Sequence, residues 1–173
     1  MFRRPLSLLV PVGLAIAVLP AALPAAAEDE PPPPPCAAPE FSQFDFWVGE
    51  WDVSWTGGQG TNTITREYED CVIRERFETD GLRGTSLSAW SPRRGVWQQT
   101  WVDNNGSYLE FEGGMVGDRM ILAREAPGDS GTTLQRMVFF DIEPDSFTWN
   151  WEKSTDEGDS WELLWQIAYQ RRP

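Results

Sequence analysis

The sequence contains no histidine, and Lys153 is the single lysine among its 173 residues. The absence of histidine excludes histidine-based acid–base catalysis, histidine ligation of zinc and a haem held by a histidine. Basic residues are also few: 14 of them stand against 27 acidic residues, which gives a formal net charge of −13. Because phosphate binding needs clustered lysine or arginine, the composition argues against a nucleic-acid partner. No motif in the chain predicts a cofactor.

Long apolar runs are confined to the N-terminus. Arg3 and Arg4 precede an apolar stretch over residues 6–23, and the alanines at 25–27 form an A-x-A cleavage site. This order is typical of a secretory signal peptide. We therefore predict a signal peptide at residues 1–27, export to the periplasm or the extracellular space, and no membrane span after cleavage.

Proline is concentrated before the predicted domain and is scarce inside it. Ten of the 14 prolines precede residue 41, and five of these are consecutive at residues 31–35. Such a segment cannot form a hydrophobic core. We predict that residues 28–40 form a Pro-rich disordered spacer and that residues 41–173 form one folded domain.

Helical periodicity is missing from this predicted domain. Nine clusters of turn residues separate about ten short runs, a spacing typical of an all-β protein. Every connection is short enough for a hairpin, and closing the sheet removes its two exposed edges. We predict an all-β domain with about ten antiparallel strands in an up-and-down, lipocalin-like barrel, favoured over a Greek-key sandwich. At most one short helical turn is expected, near residues 41–46.

Polar residues recur on the strand faces that should point into the barrel. Alternation with period two assigns a set of aromatic and polar residues to the interior. These candidate ligand-binding residues are Glu75, Trp97, Gln99, Trp101, Asp103, Arg136 and Trp149. An unpaired buried polar group costs about 1–3 kcal/mol, so each must be paired, hydrated or bound to a ligand. Two interpretations stay open: a ligand pocket, and an internal Glu75–Arg136 pair that only holds the strands together.

Several motifs, taken in order, resemble one known family. Residues 44–53 (FDFWVGEWDV) are similar to the opening of an uncharacterised family of secreted bacterial proteins with a lipocalin-like barrel, of the calycin kind shared with nitrobindin. The other motifs of the resemblance are residues 71–75 (CVIRE), 84–86 (GTS), 97–103 (WQQTWVD), 154–158 (STDEG) and 169–171 (YQR). The resemblance covers about residues 41 to 171 and implies a fold without an established activity. The haem of nitrobindin, held by a histidine, is not implied for this chain.

Gly49 and Trp51 also resemble the G-x-W signature of lipocalins. In that fold the tryptophan closes the floor of the barrel, and a late arginine packs across it. The resemblance gives this role to Arg171, through a cation–π contact. All three residues are therefore expected to be structural.

Another structural motif lies near the C-terminus. Ser154, Asp156, Gly158 and Trp161 fit the S-x-D-x-G-x-[ST]-W pattern called an Asp box in sialidases and other β proteins. Serine and aspartate side chains can satisfy the N–H groups of a hairpin loop, and glycine adopts a positive φ at little cost. We predict a structural turn. The carboxylates of this segment do not match the spacing of a calcium-binding loop, so no metal site is predicted.

The chain has two cysteines, Cys36 and Cys71. In an exported protein, an even count of two predicts one disulfide. The alternative is a buried free Cys71 with an unpaired Cys36.

These features predict a secreted or periplasmic barrel protein that binds a small amphipathic or aromatic molecule in its interior. One alternative is an envelope interaction protein or homodimer with no ligand. It rests on the expectation that some aromatic residues must face outward. The four residues expected to exceed the space in one barrel are Trp90, Phe147, Trp149 and Trp165.

The other alternative is a carboxylate-dependent hydrolase. Because the chain has no histidine, acid–base chemistry would need paired carboxylates. The predicted pairs combine Glu75 with Asp103, Glu110 or Glu152.

Overall fold

The computed structural model describes residues 34–128 and 131–173. The predicted signal peptide, and residues 28–33 of the predicted spacer, lie outside these residues. Within the described ranges, no helix is long and apolar enough to cross a membrane.

Ten strands, joined by turns of two to seven residues, make up almost the whole domain. The strands are β1 (Gly49–Trp55), β2 (Gly58–Glu67), β3 (Val72–Glu78), β4 (Arg83–Ser91), β5 (Val96–Asp103), β6 (Tyr108–Val116), β7 (Arg119–Gly128), β8 (Gly131–Glu143), β9 (Ser146–Ser154) and β10 (Glu162–Arg171). Each strand pairs antiparallel with the next in the chain, and β1 pairs with β10, so the sheet closes into a barrel. The predicted all-β, up-and-down barrel is confirmed, and it is consistent with a lipocalin-like fold.

The two ends of the barrel differ. At the first, which we call the helical end, two 3₁₀ turns at Pro39–Ser42 and Asp45–Trp47 lead into β1. At the second, the loop end, lie the turns at residues 56–57, 79–82, 104–107 and 155–161.

A plug of aromatic side chains fills the helical end. Phe41, Phe44 and Trp47 are all buried, and their spacing of three residues matches the period of a 3₁₀ helix. The ring of Phe44 lies 4.8 Å from that of Trp97, edge to face, and Trp47 lies 5.3 Å from Phe139. The prediction of at most one helical turn was therefore wrong, because this repeat packs two successive turns against the same core.

Arg171 holds the floor of the barrel together. Its guanidinium carbon lies 4.2 Å from the ring centre of Trp51. The same group donates hydrogen bonds to the carbonyl oxygens of Val48 at 2.9 Å and Phe46 at 3.2 Å. The last strand is thereby joined to the segment that enters the first strand.

Gly49 makes this contact possible. Its φ of 141° lies in a region that favours glycine, and a Cβ atom at this position would overlap Nη1 of Arg171. The G-x-W spacing thus has a physical reason: the glycine leaves room for the arginine that covers Trp51.

The predicted disulfide is confirmed. Cys36 and Cys71 are bonded, with Cα atoms 5.2 Å apart and a sequence separation of 35. Cys71 ends the turn between β2 and β3, so the bond joins the start of the described chain to the barrel wall at the helical end.

The Asp-box segment forms a hydrogen-bonded turn at the loop end. The hydroxyl of Ser154 donates to Oδ1 of Asp156 at 2.7 Å and accepts from the N–H of Gly158 at 2.9 Å. The indole N–H of Trp161 donates to the carbonyl of Gly158. Hydrogen bonds from Ser160 and Ser154 lower the pKa of Asp156 to about 2. The polar atoms of the motif are thus used within the turn.

Replacement of Arg171 should destabilise the barrel without altering its strands. We expect Arg171→Ala to lower the free energy of unfolding by about 2–4 kcal/mol, because it removes a cation–π contact and leaves the carbonyls of Phe46, Val48 and Pro144 without their donor. Urea denaturation measures this loss. Arg172→Ala is the matched control: Arg172 forms an exposed pair with Asp52, so its loss should stay below about 1 kcal/mol. Equal losses in the two variants would contradict the role of Arg171.

Removal of the disulfide should also destabilise the domain. For a loop of this length, chain entropy predicts a loss of about 3–4 kcal/mol in the double variant Cys36→Ser/Cys71→Ser. Urea denaturation of the oxidised protein, of the same protein with a reductant, and of the double variant gives the comparison. The reduced protein and the variant should unfold at the same urea concentration, below that of the oxidised protein.

Candidate functional site

A cavity of about 190 Å³ occupies the interior of the barrel. Nine of its fifteen lining residues are aromatic, which makes it an aromatic pocket with few polar groups. The aromatic lining residues are Trp47, Phe77, Trp101, Phe111, Phe139, Trp149, Trp151, Trp165 and Tyr169. Only two of the fifteen, Glu75 and Gln99, are neither aromatic nor aliphatic.

The aromatic plug closes the cavity toward the helical end, and the cavity opens toward the loop end. Trp47 and Phe139, which belong to the aromatic plug, form its base and are buried. Leu82, Trp101 and Leu109 lie near the loop end and are partly exposed. Exposure of the lining therefore rises toward the loop end, where the cavity meets solvent.

Glu75 lies on β3 with its side chain in a network of neutral donors. Nδ2 of Asn62 donates to Oε1 of Glu75 at 2.7 Å, and the hydroxyl of Ser86 donates to Oε2 at 2.6 Å. The same Asn62 amide donates to the hydroxyl of Tyr169 at 3.0 Å. Four strands thus contribute to one buried polar cluster that reaches the cavity wall.

The charge of Glu75 is not compensated within this cluster. Its residue is only 7% exposed, and none of the ion pairs of the described chain includes it. Burial raises the pKa of Glu75 above its ordinary value of 4.5, although the hydrogen bonds from Ser86 and Asn62 act in the opposite direction. Burial, and then the negative charge of Glu75, raise the pKa of Tyr169. Any gain of a positive charge in the cavity would favour the ionised carboxylate.

Gln99 supplies the second polar group of the lining. Its Nε2 donates to the hydroxyl of Ser88 at 2.8 Å, which leaves Oε1 as the atom available to a ligand. Trp97, two residues earlier, is buried nearer the plug and donates to Oε1 of Gln43 at 3.0 Å. Trp97 faces the interior but does not line the cavity. Of the inward-facing residues of β5, the pocket lining therefore begins at Gln99.

Trp101 and Asp103 lie at the rim. The indole N–H of Trp101 donates to Oδ2 of Asp103 at 3.0 Å, which fixes the ring that lines the cavity. Asp103 itself accepts from the backbone N–H groups of Asn105 and Ser107 and caps the turn. Burial acts to raise the pKa of Asp103, but these hydrogen bonds outweigh it and lower the pKa. Asp103 positions Trp101 and does not line the pocket.

Trp149 lines the cavity together with two tryptophans that the candidate set did not include. Its ring is nearly parallel to that of Trp151, with centres 6.4 Å apart, and lies edge to face with Trp165 at 5.8 Å. Alternation along the strands could have indicated Trp151 and Trp165, because each lies two residues from another lining residue, in Trp149-x-Trp151 and in Trp165-x-Ile167. The expectation that aromatic residues exceed the available space was wrong for Phe147, Trp149 and Trp165, all of which lie on the inward faces of β9 and β10.

Arg136 does not face the cavity, and the predicted Glu75–Arg136 pair is not formed. Nε of Arg136 lies 2.6 Å from Oε2 of Glu152, and its guanidinium carbon lies 3.8 Å from the ring centre of Trp161. The neighbour Met137 lines the cavity, so Arg136 projects from the opposite face of β8. The sequence was ambiguous here because both faces of this strand carry apolar residues.

The carboxylate pairs expected of a hydrolase are not brought together in the cavity. Of the four carboxylates considered, Glu75 alone is among the described residues that line it. Glu152 pairs with Arg136, and Glu110 lies between Leu109 and Phe111, whose side chains take the inward face of β6.

No known protein family matches the chain, and neither does any curated protein.

The pH dependence of stability should report the buried Glu75 carboxyl. Its raised pKa means that the neutral form favours the fold, so this stability is complete below about pH 4.5 and is lost as pH rises through the folded-state pKa. In Glu75→Gln no such group ionises. The stability of the variant relative to the wild type, measured by urea denaturation, should therefore increase as the pH rises above the ordinary pKa of 4.5. Glu78→Gln, an exposed change on the same strand, should show no comparable increase.

Proposed function

We propose that the protein binds a small amphipathic or aromatic molecule in the interior of its barrel, as an exported protein of the lipocalin-like family that its motifs resemble. One observation carries the proposal: the barrel retains an aromatic cavity with a few convergent polar groups, open at one end. Pockets for small molecules are concave and mostly apolar, with few polar groups that fix orientation.

A purely structural interior would be filled. Protein cores pack as densely as organic crystals, and voids larger than a water molecule are few. Here about 190 Å³ stays open although bulky indole rings surround it. Aromatic walls that are partly exposed to an open space are suited to contact a flat or apolar ligand.

The polar groups of the cavity support an amphipathic ligand. Glu75, the Oε1 atom of Gln99 and the hydroxyl of Tyr169 lie on the walls below the rim.

Export is part of the same proposal. The predicted signal peptide and the Cys36–Cys71 disulfide support an oxidising compartment, since disulfides persist there and are rare in the cytosol. Native mass spectrometry of protein purified from its own cell envelope tests the binding function directly. A co-purifying small mass that is lost on unfolding is the expected result.

Binding should depend on the tryptophan at the rim. We expect 2-phenylethanol, a small neutral aromatic probe, to change the intrinsic tryptophan fluorescence of the wild-type protein. Trp101→Ala should weaken this binding by about 1–3 kcal/mol, because it removes a large apolar contact surface. Trp161→Ala is the control, because Trp161 packs against Arg136 and does not line the cavity. An equal loss in both variants would mean that the probe does not bind in the barrel.

A further inference from the structure

Glu75 is the one acidic residue on the described wall of the cavity, and its carboxyl group is the one that can carry a formal negative charge close to neutral pH. Its hydrogen-bond partners, Asn62 and Ser86, are neutral and leave it uncompensated. A carboxylate has more acceptor sites than the two hydrogen bonds use, so each oxygen can still accept from a ligand.

The nearest candidates for a counter-charge are engaged elsewhere. Arg66 lies on the inward face of β2 but pairs with Asp45 at the helical end. Arg124 is on the face of β7 that also carries Leu122, and it donates to the neutral Oε1 of Gln135 at 2.8 Å. Its guanidinium carbon lies 5.9 Å from the ring centre of Phe111, which lines the cavity, but Arg124 itself is not part of the lining. The titratable group that faces Glu75 from β10 is Tyr169, a neutral hydroxyl. The described lining of the cavity therefore contains one carboxyl group and no cation.

Aromatic rings lie on the side of Glu75 toward the loop end. Phe77 follows Glu75 on the inward face of β3, and its ring packs edge to face against Trp101 at 6.3 Å and Trp165 at 6.0 Å. The faces of such rings attract cations through their quadrupoles, tryptophan most strongly. A buried carboxylate beside several indoles is a combination that favours a positively charged group.

The entrance carries charge of the same sign. The described turns at the loop end contain four acidic residues and no basic residue; the acids are Asp80, Asp156, Glu157 and Asp159. Negative loops around a cleft raise the local concentration of cations and speed their association. This feature is independent of Glu75, because none of these four acidic residues lines the cavity.

We infer that the ligand is a small organic cation, an amine whose ammonium group contacts the Glu75 carboxylate while its apolar part lies among the tryptophans. The inference rests on the proposed binding function and specifies its ligand class. An ammonium group would compensate the buried charge and donate to the free lone pairs of the carboxylate. Such charge-assisted hydrogen bonds are stronger than neutral ones.

Three probes of similar shape separate charge from shape. They are 2-phenylethylamine, which is a cation at neutral pH, 2-phenylethanol, which is neutral, and 3-phenylpropanoate, which is an anion. Affinities of the full folded domain are measured by tryptophan fluorescence and by calorimetry. We expect the amine to bind at least about tenfold more tightly than the alcohol, and the anion to bind least.

The decisive variant is Glu75→Gln, which keeps the shape of the side chain and removes its charge. We expect it to bind the amine and the alcohol with equal affinity. Glu78→Gln removes one charge from the exposed face of the same strand and should keep the preference for the amine. If the wild type binds the alcohol as tightly as the amine, or if Glu75→Gln keeps the preference, the cation assignment is wrong while the binding function stands. If none of the three probes binds the wild type, the result contradicts the proposed binding function itself.

A second measurement covers the case in which Glu75→Gln does not fold. In the wild type, the affinity for 2-phenylethylamine should fall as pH is lowered through the pKa of Glu75, because protonation removes the charge that the amine contacts. The amine stays protonated over this range, and the affinity for 2-phenylethanol should not change. An amine affinity that does not depend on pH in this interval overturns the inference.

Discussion

Closure of the sheet is the constraint on which the rest of this structure depends. A meander of ten antiparallel strands has two free edges unless its first and last strands meet, and here β1 and β10 pair over residues Trp51–Ser54 and Ala168–Arg171. Arg171 reinforces this seam, since it covers Trp51 and binds the carbonyls that precede β1. Only a closed barrel has an interior, so the cavity exists because this seam holds.

The aromatic plug decides which part of that interior is free. Phe44, Trp47 and Phe139 fill the helical end, where the ring of Phe139 packs edge to face against both Phe44 and Trp47. The remaining space is bounded by indoles that contact one another and leave a gap. The position of the cavity therefore follows from the order of the chain, in which an aromatic 3₁₀ segment immediately precedes the first strand.

Much of the fold could be predicted because turns and alternation are local signals. Trp97-x-Gln99-x-Trp101 alternates cleanly, and the structure places all three on the inward face of β5. The alternation fails on β8, where Val138 and Phe139 are both buried, so burial alone does not tell which face is inside. The environment of Glu75 could not be predicted, because it depends on the register of the barrel. Asn62 and Ser86 come from the neighbouring strands β2 and β4, and Tyr169 comes from β10.

A barrel blocked at one end has a single route for exchange. A molecule in the cavity must leave past the rim at Trp101 and Leu82 before another can take its place, because the plug offers no second exit. Entry and departure therefore use the same opening, and the rate of exchange is limited by how fast a bound molecule leaves past the rim. A protein built this way is suited to retaining or carrying one molecule at a time, and it is poorly suited to passing molecules through.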